Sequence, residues 1–238
     1  MGNIRLNRME KSSMAILLQN LLARAPRLND LSDVTRLLIA CDIIGDGMSD
    51  YTEEELLADW QRPGFNLDTD AWVIITNKGQ LVGFADVWSC DYTQINMRIR
   101  VHPEFLGRGI GTLLLRLAEH RARQFLRKAP AGLRVVLHSA VSSGNQDAKD
   151  LLEQEGYTPV RQFWRMMIDA DESADGSFQP GKLKFDLYAE MQQLTALAQP
   201  QQRTGIYVAR QYDIYEKELR AGEVLPISME LSEQSIYS

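Results

Sequence analysis

From residue 101 to 115 the chain reads Val-His-Pro-Glu-Phe-Leu-Gly-Arg-Gly-Ile-Gly-Thr-Leu-Leu-Leu. An apolar alternation, Ile95, Met97, Ile99 and Val101, runs into it and predicts a strand with those residues on one face. Pro103 stops the strand, and Gly107, Gly109 and Gly111 lead directly into a helical pattern. Glycine lets the backbone turn without a Cβ penalty and approach a ligand closely. The first N–H groups of a helix have no intrahelical partner, and the helix dipole adds partial positive charge there. Strand, glycine turn and helix N-terminus together predict a site for an anion such as a pyrophosphate.

Two familiar phosphate loops are excluded. A Walker loop requires Gly-Lys-Ser/Thr after its spacer, and none follows. A G-x-G-x-x-G pattern starting at Gly107 needs glycine where Thr112 stands.

With 238 residues and 45% hydrophobic content, the chain can bury a real core, and one domain with an appendage is expected. A net charge of −6 argues against a nucleic-acid partner, which would demand a basic surface. His102, His120 and His138, with Cys41 and Cys90, lack zinc-ligand spacing, so no metal is expected and the cysteines read as core thiols. The first residues lack the apolar run of a signal peptide, Leu6 breaks the myristoylation pattern, and no run approaches the ~20 residues that span a bilayer. A cytoplasmic location and no membrane partner are expected.

Ala15 to Ala25 is apolar and ambiguous between strand and helix. Asn29 is a plausible N-cap for a helix carrying Val34, Leu37, Leu38 and Cys41, which Gly45-Asp-Gly47 breaks. Thr52 and Glu55 form a capping box for a helix with Leu56, Leu57 and Trp60. Residues 65–70 read as a loop. Trp72–Thr76 and Leu81–Trp88 read as a hairpin around Asn77–Gln80. A helix over 109–127, a buried strand at Arg134–His138, a helix from Asn145 to Glu155 closed by Gly156, and a strand or strand pair over Thr158–Asp169 follow. In the tail, Leu183–Leu197 reads as a helix, Ile206–Arg210 as a strand and Tyr212–Arg220 as a short helix.

The Val-x-Pro followed by x-x-G-x-G resembles motif A of the GCN5-related N-acetyltransferases, the GNAT superfamily. The order β-α-α-β-β-β-α-β-α-β over residues 15–169, roughly two thirds of the chain, agrees with it. The resemblance implies an α/β GNAT acyltransferase fold: a mixed central sheet with a splayed strand pair and helices on both faces. Residues 15–170 would form that domain, with 171–238 as a C-terminal extension. Ile206–Arg220 resembles the start of a second GNAT repeat, as in mycothiol synthase, and Phe163–Met167 is similar to the closing strand of that branch. No second motif A is present, so an extension packed on the domain, or on a second subunit in a homodimer, is the simpler reading.

The same resemblance implies where acetyl-CoA would lie. Backbone N–H groups of Leu106, Gly107, Arg108, Gly109, Ile110, Gly111 and Thr112 would take the pyrophosphate, with Arg108 adding charge. The backbone of Ile99 and Val101 would pair with the pantetheine arm and polarise the thioester carbonyl. Asn145 matches a position that hydrogen-bonds pantetheine, and N-capping is an equally good account of it.

Two positions depart from the family pattern. Leu106 stands where Gln or Arg is usual, and Leu152 stands where many members carry the tyrosine that protonates the leaving thiolate. Tyr157 reads as core. Asp86, Asp91 and His138 lie near enough to be considered as a base, but none is assigned, so the catalytic residues stay unknown. Arg98 and Arg100 share one strand face, either paired with acids such as Asp86 or Asp91 or facing an acidic substrate. Asp42–Tyr51 and Arg161–Met167 would face the acceptor, and the acidic loop Gly45–Asp50 would suit a cationic amine.

The expectation is an acetyl-CoA-dependent N-acetyltransferase acting on a primary amine of a small molecule by direct attack in a ternary complex. The rival readings are a longer acyl donor and a non-catalytic acyl-CoA-binding or scaffold protein.

Overall fold

The computed structural model describes residues 16–18, 20–46, 49, 51–168, 183–190 and 206–224. The ambiguous first run is a strand pair, β1 (Ile16–Leu18) and β2 (Leu21–Arg24), turned through Asn20 at a φ of +74°. Asn29 does not cap a helix. It lies in a 3-10 turn (Leu28–Asp30), where Asp30 accepts from the Arg27 N–H at 2.6 Å and holds Arg24. Helix α1 (Leu31–Asp46) then buries Val34, Leu37 and Leu38. The capping box forms as expected at α2 (Glu53–Trp60): Glu55 N–H donates to Thr52 Oγ1 at 3.1 Å, and Thr52 N–H to Glu55 Oε2 at 3.2 Å. The predicted loop contains one helical turn, α3 (Leu67–Asp70), capped by Asn66. Its Asp70 anchors Arg121 at 2.6 Å.

Three strands follow in a meander, β3 (Ala71–Thr76), β4 (Leu81–Ser89) and β5 (Gln94–Val101). Helix α4 (Ile110–Phe125), β6 (Val135–Ser142), α5 (Gln146–Gln154) and β7 (Thr158–Ile168) complete the order read from the sequence. Gly156, at a φ of +86°, ends α5 as predicted. Helices α1 and α2 pack Leu38, Leu56 and Trp60 against Phe84 on one face of the sheet. On the other face, Leu115, Ala118 and Ala122 of α4 meet Val87, Ile95, Met97 and Leu137, and Leu152 of α5 joins them. At about 25 cal/mol per Å² of apolar surface removed from water, these two layers are the main source of stability. Among the described residues, no helix is long and apolar enough to cross a membrane.

The tail differs from its reading. Residues Leu183–Glu190 form strand β8, not a helix, and the rest of the predicted helix lies outside the described residues. Residues Ile206–Arg220 form one continuous strand, β9, so neither the short helix at 212–220 nor the opening of a second repeat is present there. The nine strands run β1-β2-β3-β4-β5-β6-β9-β7-β8, with β9 inserted antiparallel between β6 and β7. A domain boundary at residue 170 would therefore cut through this sheet.

Ion pairs tie β9 to its surroundings on both faces. Lys217 Nζ lies 2.6 Å from Glu119 of α4 and donates to the Glu155 carbonyl, and Asp213 pairs with Lys149 of α5. On the opposite face Glu216 takes His138 Nε2 at 2.8 Å and Arg134 at 2.6 Å. The hydrogen bond from His138, opposed by burial and aided by Arg134, lowers the Glu216 carboxyl from 4.5 to about 2. A depressed carboxylate contributes stability above its unfolded value, and that contribution is lost as pH falls towards the folded one. After allowing for solvent screening, Glu216→Gln should cost about 1–2 kcal/mol at pH 7. In urea unfolding the gap between parent and variant should shrink between pH 4.5 and pH 2. An equal gap at both ends would show that the charge is not its origin.

Candidate functional site

β5 is antiparallel to β4 and parallel to β6, but its parallel ladder stops early. The two strands are paired from Gln94↔Val136 to Met97↔Ser139, and beyond that each continues without the other. β6 stays bonded to β9 as far as Ser142↔Tyr212, so the sheet splits between β5 and β6 rather than ending. The His102 N–H donates to Val82 of the β4 side at 2.9 Å. Backbone groups alternate sides along a strand, so those of Ile99 and Val101 turn into the split. The contacts agree: the Ile99 carbonyl accepts from Arg100, and the Val101 carbonyl accepts from the Cys41 thiol at 3.3 Å.

One end of the split is closed by the glycine turn. Pro103–Phe105 make a 3-10 turn, after which Gly107 (φ +71°) and Gly109 (φ +77°) take the left-handed conformation that disfavours a side chain. Gly109 is the N-cap of α4, so the N–H groups of its first turn point out of the helix towards the split. A Cβ on Gly111 would stand 3.0 Å from Leu151 Cδ2 and 3.8 Å from Val101 Cγ2, so α4, α5 and β5 converge at this residue. Beneath them, a Cβ on Gly83 would meet Ile110 at 2.9 Å, and its absence is what lets α4 seat this low on β4.

The result is a cleft of about 930 Å³. Ile99, Val101, Leu106, Gly107, Gly109, Ile110, Gly111, Thr112 and Asn145, nine of the ten residues singled out from the sequence, line it together. Arg108 does not. Its guanidinium lies back over the Phe105 ring, 4.7 Å from the centroid, and donates to the Glu104 carbonyl. Asn145 caps α5 by accepting from the Ala148 N–H at 3.1 Å while facing the cleft.

Leu152 lines the cleft and reaches the core, and it offers no proton. Tyr157 is buried and donates to Glu119 at 3.0 Å, away from the cleft, as the core reading expects. Asp91 is spent on its own turn, accepting from Thr93 and Gln94. Asp86 is sealed against Arg98, and His138 against Glu216. The sequence reading missed Tyr212, which stacks on Phe163 at 4.7 Å and, among the described residues, is the one tyrosine lining the cleft. Its only sequence signal was its place in a run read as helix.

On the face of the sheet covered by α1, the cleft is walled by Cys41, Asp42 and Ile44, with Arg100, which is paired across β4–β5 with Phe84 of that face, and Tyr212. Burial pushes the Cys41 thiol up to about 11, with Asp42 adding to the rise and Arg100 opposing it. The thiol is therefore protonated at neutral pH, with its proton directed at Val101. Of the Gly45–Asp50 loop, residues 45 and 46 end α1, and residues 47, 48 and 50 lie outside the described residues.

A split sheet with two helix N-termini aimed into it is an arrangement that holds a long ligand bearing an anion at one end. The acetyltransferase (GNAT) family model matches residues 31–157, which spans α1 to α5 and the whole glycine turn, and the chain belongs to that family. No curated protein sequence matches it. Among solved structures, a GCN5-related N-acetyltransferase from Sphaerobacter thermophilus is similar over 88% of this chain and 99% of its own, at 22% identity and a TM-score of 0.74. An acetyltransferase of Salmonella typhimurium, solved with its cofactor acetyl-CoA, covers 87% of this chain and 100% of its own at 15% identity and a TM-score of 0.53. A phosphinothricin acetyltransferase from Sinorhizobium meliloti in complex with acetyl-CoA covers 91% and 98% at 14% identity and a TM-score of 0.52. The match to the first of these includes most of the tail, in keeping with β9 being part of the sheet.

Proposed function

We propose that this acetyltransferase moves the acetyl group of acetyl-CoA to the primary amine of a small molecule, by direct attack within a ternary complex. The observation that carries the reading is the joining of two features in one cleft: the glycine turn at the head of α4, and the backbone of Ile99 and Val101 turned into the split. The first suits a pyrophosphate. The second supplies N–H donors for an extended amide-bearing arm and for a thioester carbonyl that gains negative charge. Binding of acetyl-CoA by two proteins of the same fold supports the donor.

In this reading the neutral amine nitrogen attacks the thioester carbon. The C–N bond forms, the C–S bond breaks, and the sulfur leaves as thiolate. The proton lost by the amine reaches that thiolate through solvent, since Leu152 cannot supply one. Direct attack is favoured over an acetylated enzyme because Cys41, the cysteine at the cleft, is held as a thiol.

The test is release of free CoA thiol from acetyl-CoA across a panel of small primary amines, with mass spectrometry of the acetylated product. Matched amounts of CoA and acetyl-amine support the reading. Tight acetyl-CoA binding with no amine turned over would favour the non-catalytic alternative, for which Leu152 is the specific observation.

A further inference from the structure

Arg98 and Arg100 stand two residues apart on one face of β5, yet the structure treats them very differently. Arg98 is saturated. It donates to both Asp86 oxygens and to the Tyr51 hydroxyl, pairs with Asp59 at 3.2 Å, and lies over the rings of Phe84, Trp88 and Tyr51. Burial works against its charge, but Asp86, Tyr51 and Asp59 outweigh burial and hold it above its usual value.

Arg100 lines the cleft with about a fifth of its side chain exposed. Nη1 donates to the carbonyl of its own neighbour, Ile99, at 3.0 Å. Its nearest carboxylate oxygen is Asp42 Oδ1, 3.9 Å from Nε and beyond hydrogen-bond reach. Asp42 is also claimed elsewhere, by Arg210 Nη1 at 3.0 Å and the Ser49 hydroxyl at 3.4 Å. Among the described residues, Nε and Nη2 of Arg100 have no hydrogen-bond partner, although the guanidinium carries five donors in a rigid fork.

We propose that Arg100 receives a carboxylate of the acceptor, so that the amine acetylated here belongs to an amino acid or a similar small carboxylate-bearing amine. The inference rests on the acetyltransferase reading above. With the glycine turn at the head of α4 taking the donor's pyrophosphate, the α1 side of the cleft, at Asp42, Arg100 and Tyr212, is left for the acceptor. A planar guanidinium fork matches a carboxylate bidentately in a way a lysine does not. The Asp42 carboxylate close by makes a singly charged carboxylate a better guest than a doubly charged phosphate, and Arg100 disfavours an acceptor that carries only positive charge.

The experiment compares free α-amino acids with their carboxamides as acceptors, using acetyl-CoA and reading CoA thiol. The carboxamide has the less basic amine, so more of it is neutral and chemistry alone favours it. The proposal predicts that the best acid nonetheless exceeds its carboxamide in kcat/KM by about 30-fold or more, the scale of a desolvated charge-assisted pair. Arg100→Met should collapse that preference towards unity, mainly through KM, while acetyl-CoA affinity measured by calorimetry changes less than about twofold. Arg100→Lys should recover only part of it. The acid-to-carboxamide comparison in the parent needs no variant to fold. Equal or better use of the carboxamides would overturn the proposal, as would loss of acetyl-CoA binding in Arg100→Met. Acetyl-CoA binding without turnover of any amine would overturn the acetyltransferase reading and this inference with it.

Discussion

A chain ended at residue 170 should show no cooperative unfolding transition. Such a chain keeps the glycine turn and every helix that lines the cleft, but it loses β9 from the interior of the sheet. β6 and β7 are not bonded to each other in the described structure; each is bonded along its length to β9. At about 1 kcal/mol net per hydrogen bond, two full ladders are comparable with the whole 5–15 kcal/mol by which a domain is stable. The truncation also removes buried Tyr212 and Tyr215 from the core. It also takes Lys217 from Glu119 and Arg210 from Asp42, removing a close cation from each carboxylate. Urea unfolding followed by tryptophan fluorescence would check this. A truncated chain with the parent's midpoint and slope would mean that β9 is dispensable, and that residues 171–238 are an appendage after all.

Asp86→Asn should cost about 3–5 kcal/mol, the range for breaking one partner of a buried ion pair. In a chain of this size that corresponds to a fall in Tm of roughly 6–20 °C. Asp86 is 2% exposed, and Arg98 cannot escape to water because Phe84, Trp88 and Tyr51 enclose it. Asp59 would remain as its one carboxylate. Replacing both members, as Asp86→Leu with Arg98→Met, should cost far less than the sum of the two single changes, since the one carboxylate left behind, Asp59, keeps its pair with Arg62. Thermal unfolding of the two single variants and the double variant would show it. Strict additivity would mean that the two residues act separately, and that the pair is not what makes the site expensive to break.

The sequence was easiest to read where structure is local. Glycines and a proline dictate a turn within a few residues, so the turn itself was legible, while Ile99, Val101 and Asn145, which line the same cleft, were reached through the family resemblance. Thr52 and Glu55 act on each other three residues apart, and Gly156 ends a helix from beside it. β9 could not be read this way. Its Asp213, Glu216, Lys217, Glu218 and Arg220 make it look like an exposed helix, yet Asp213 and Lys217 are matched from α5 and α4, and Glu216 and Glu218 from β6 and the residue preceding it. Polar residues whose partners lie far along the chain erase the alternation by which a strand is recognised. For β8 the signal was present: Leu183, Phe185, Leu187 and Ala189 alternate, but good helix formers continue to residue 197 and suggest one long element. The Arg108 side chain lies outside the cleft because its guanidinium rests on the neighbouring Phe105 ring, a contact the turn pattern does not reveal.

Calorimetric titration of acetyl-CoA into the parent and into Gly111→Glu tests the central claim most directly. A glutamate at this point would push into Leu151 and set a negative charge at the head of α4, where the donor's pyrophosphate is expected. Gly111→Ala, which only asks the end of the Leu151 side chain to yield, serves as the control for packing. The account predicts one acetyl-CoA bound per chain in the parent, weaker but measurable binding in Gly111→Ala, and none in a Gly111→Glu protein that still unfolds cooperatively. A folded parent that binds no acetyl-CoA, or a Gly111→Glu variant that binds it as the parent does, would contradict the account.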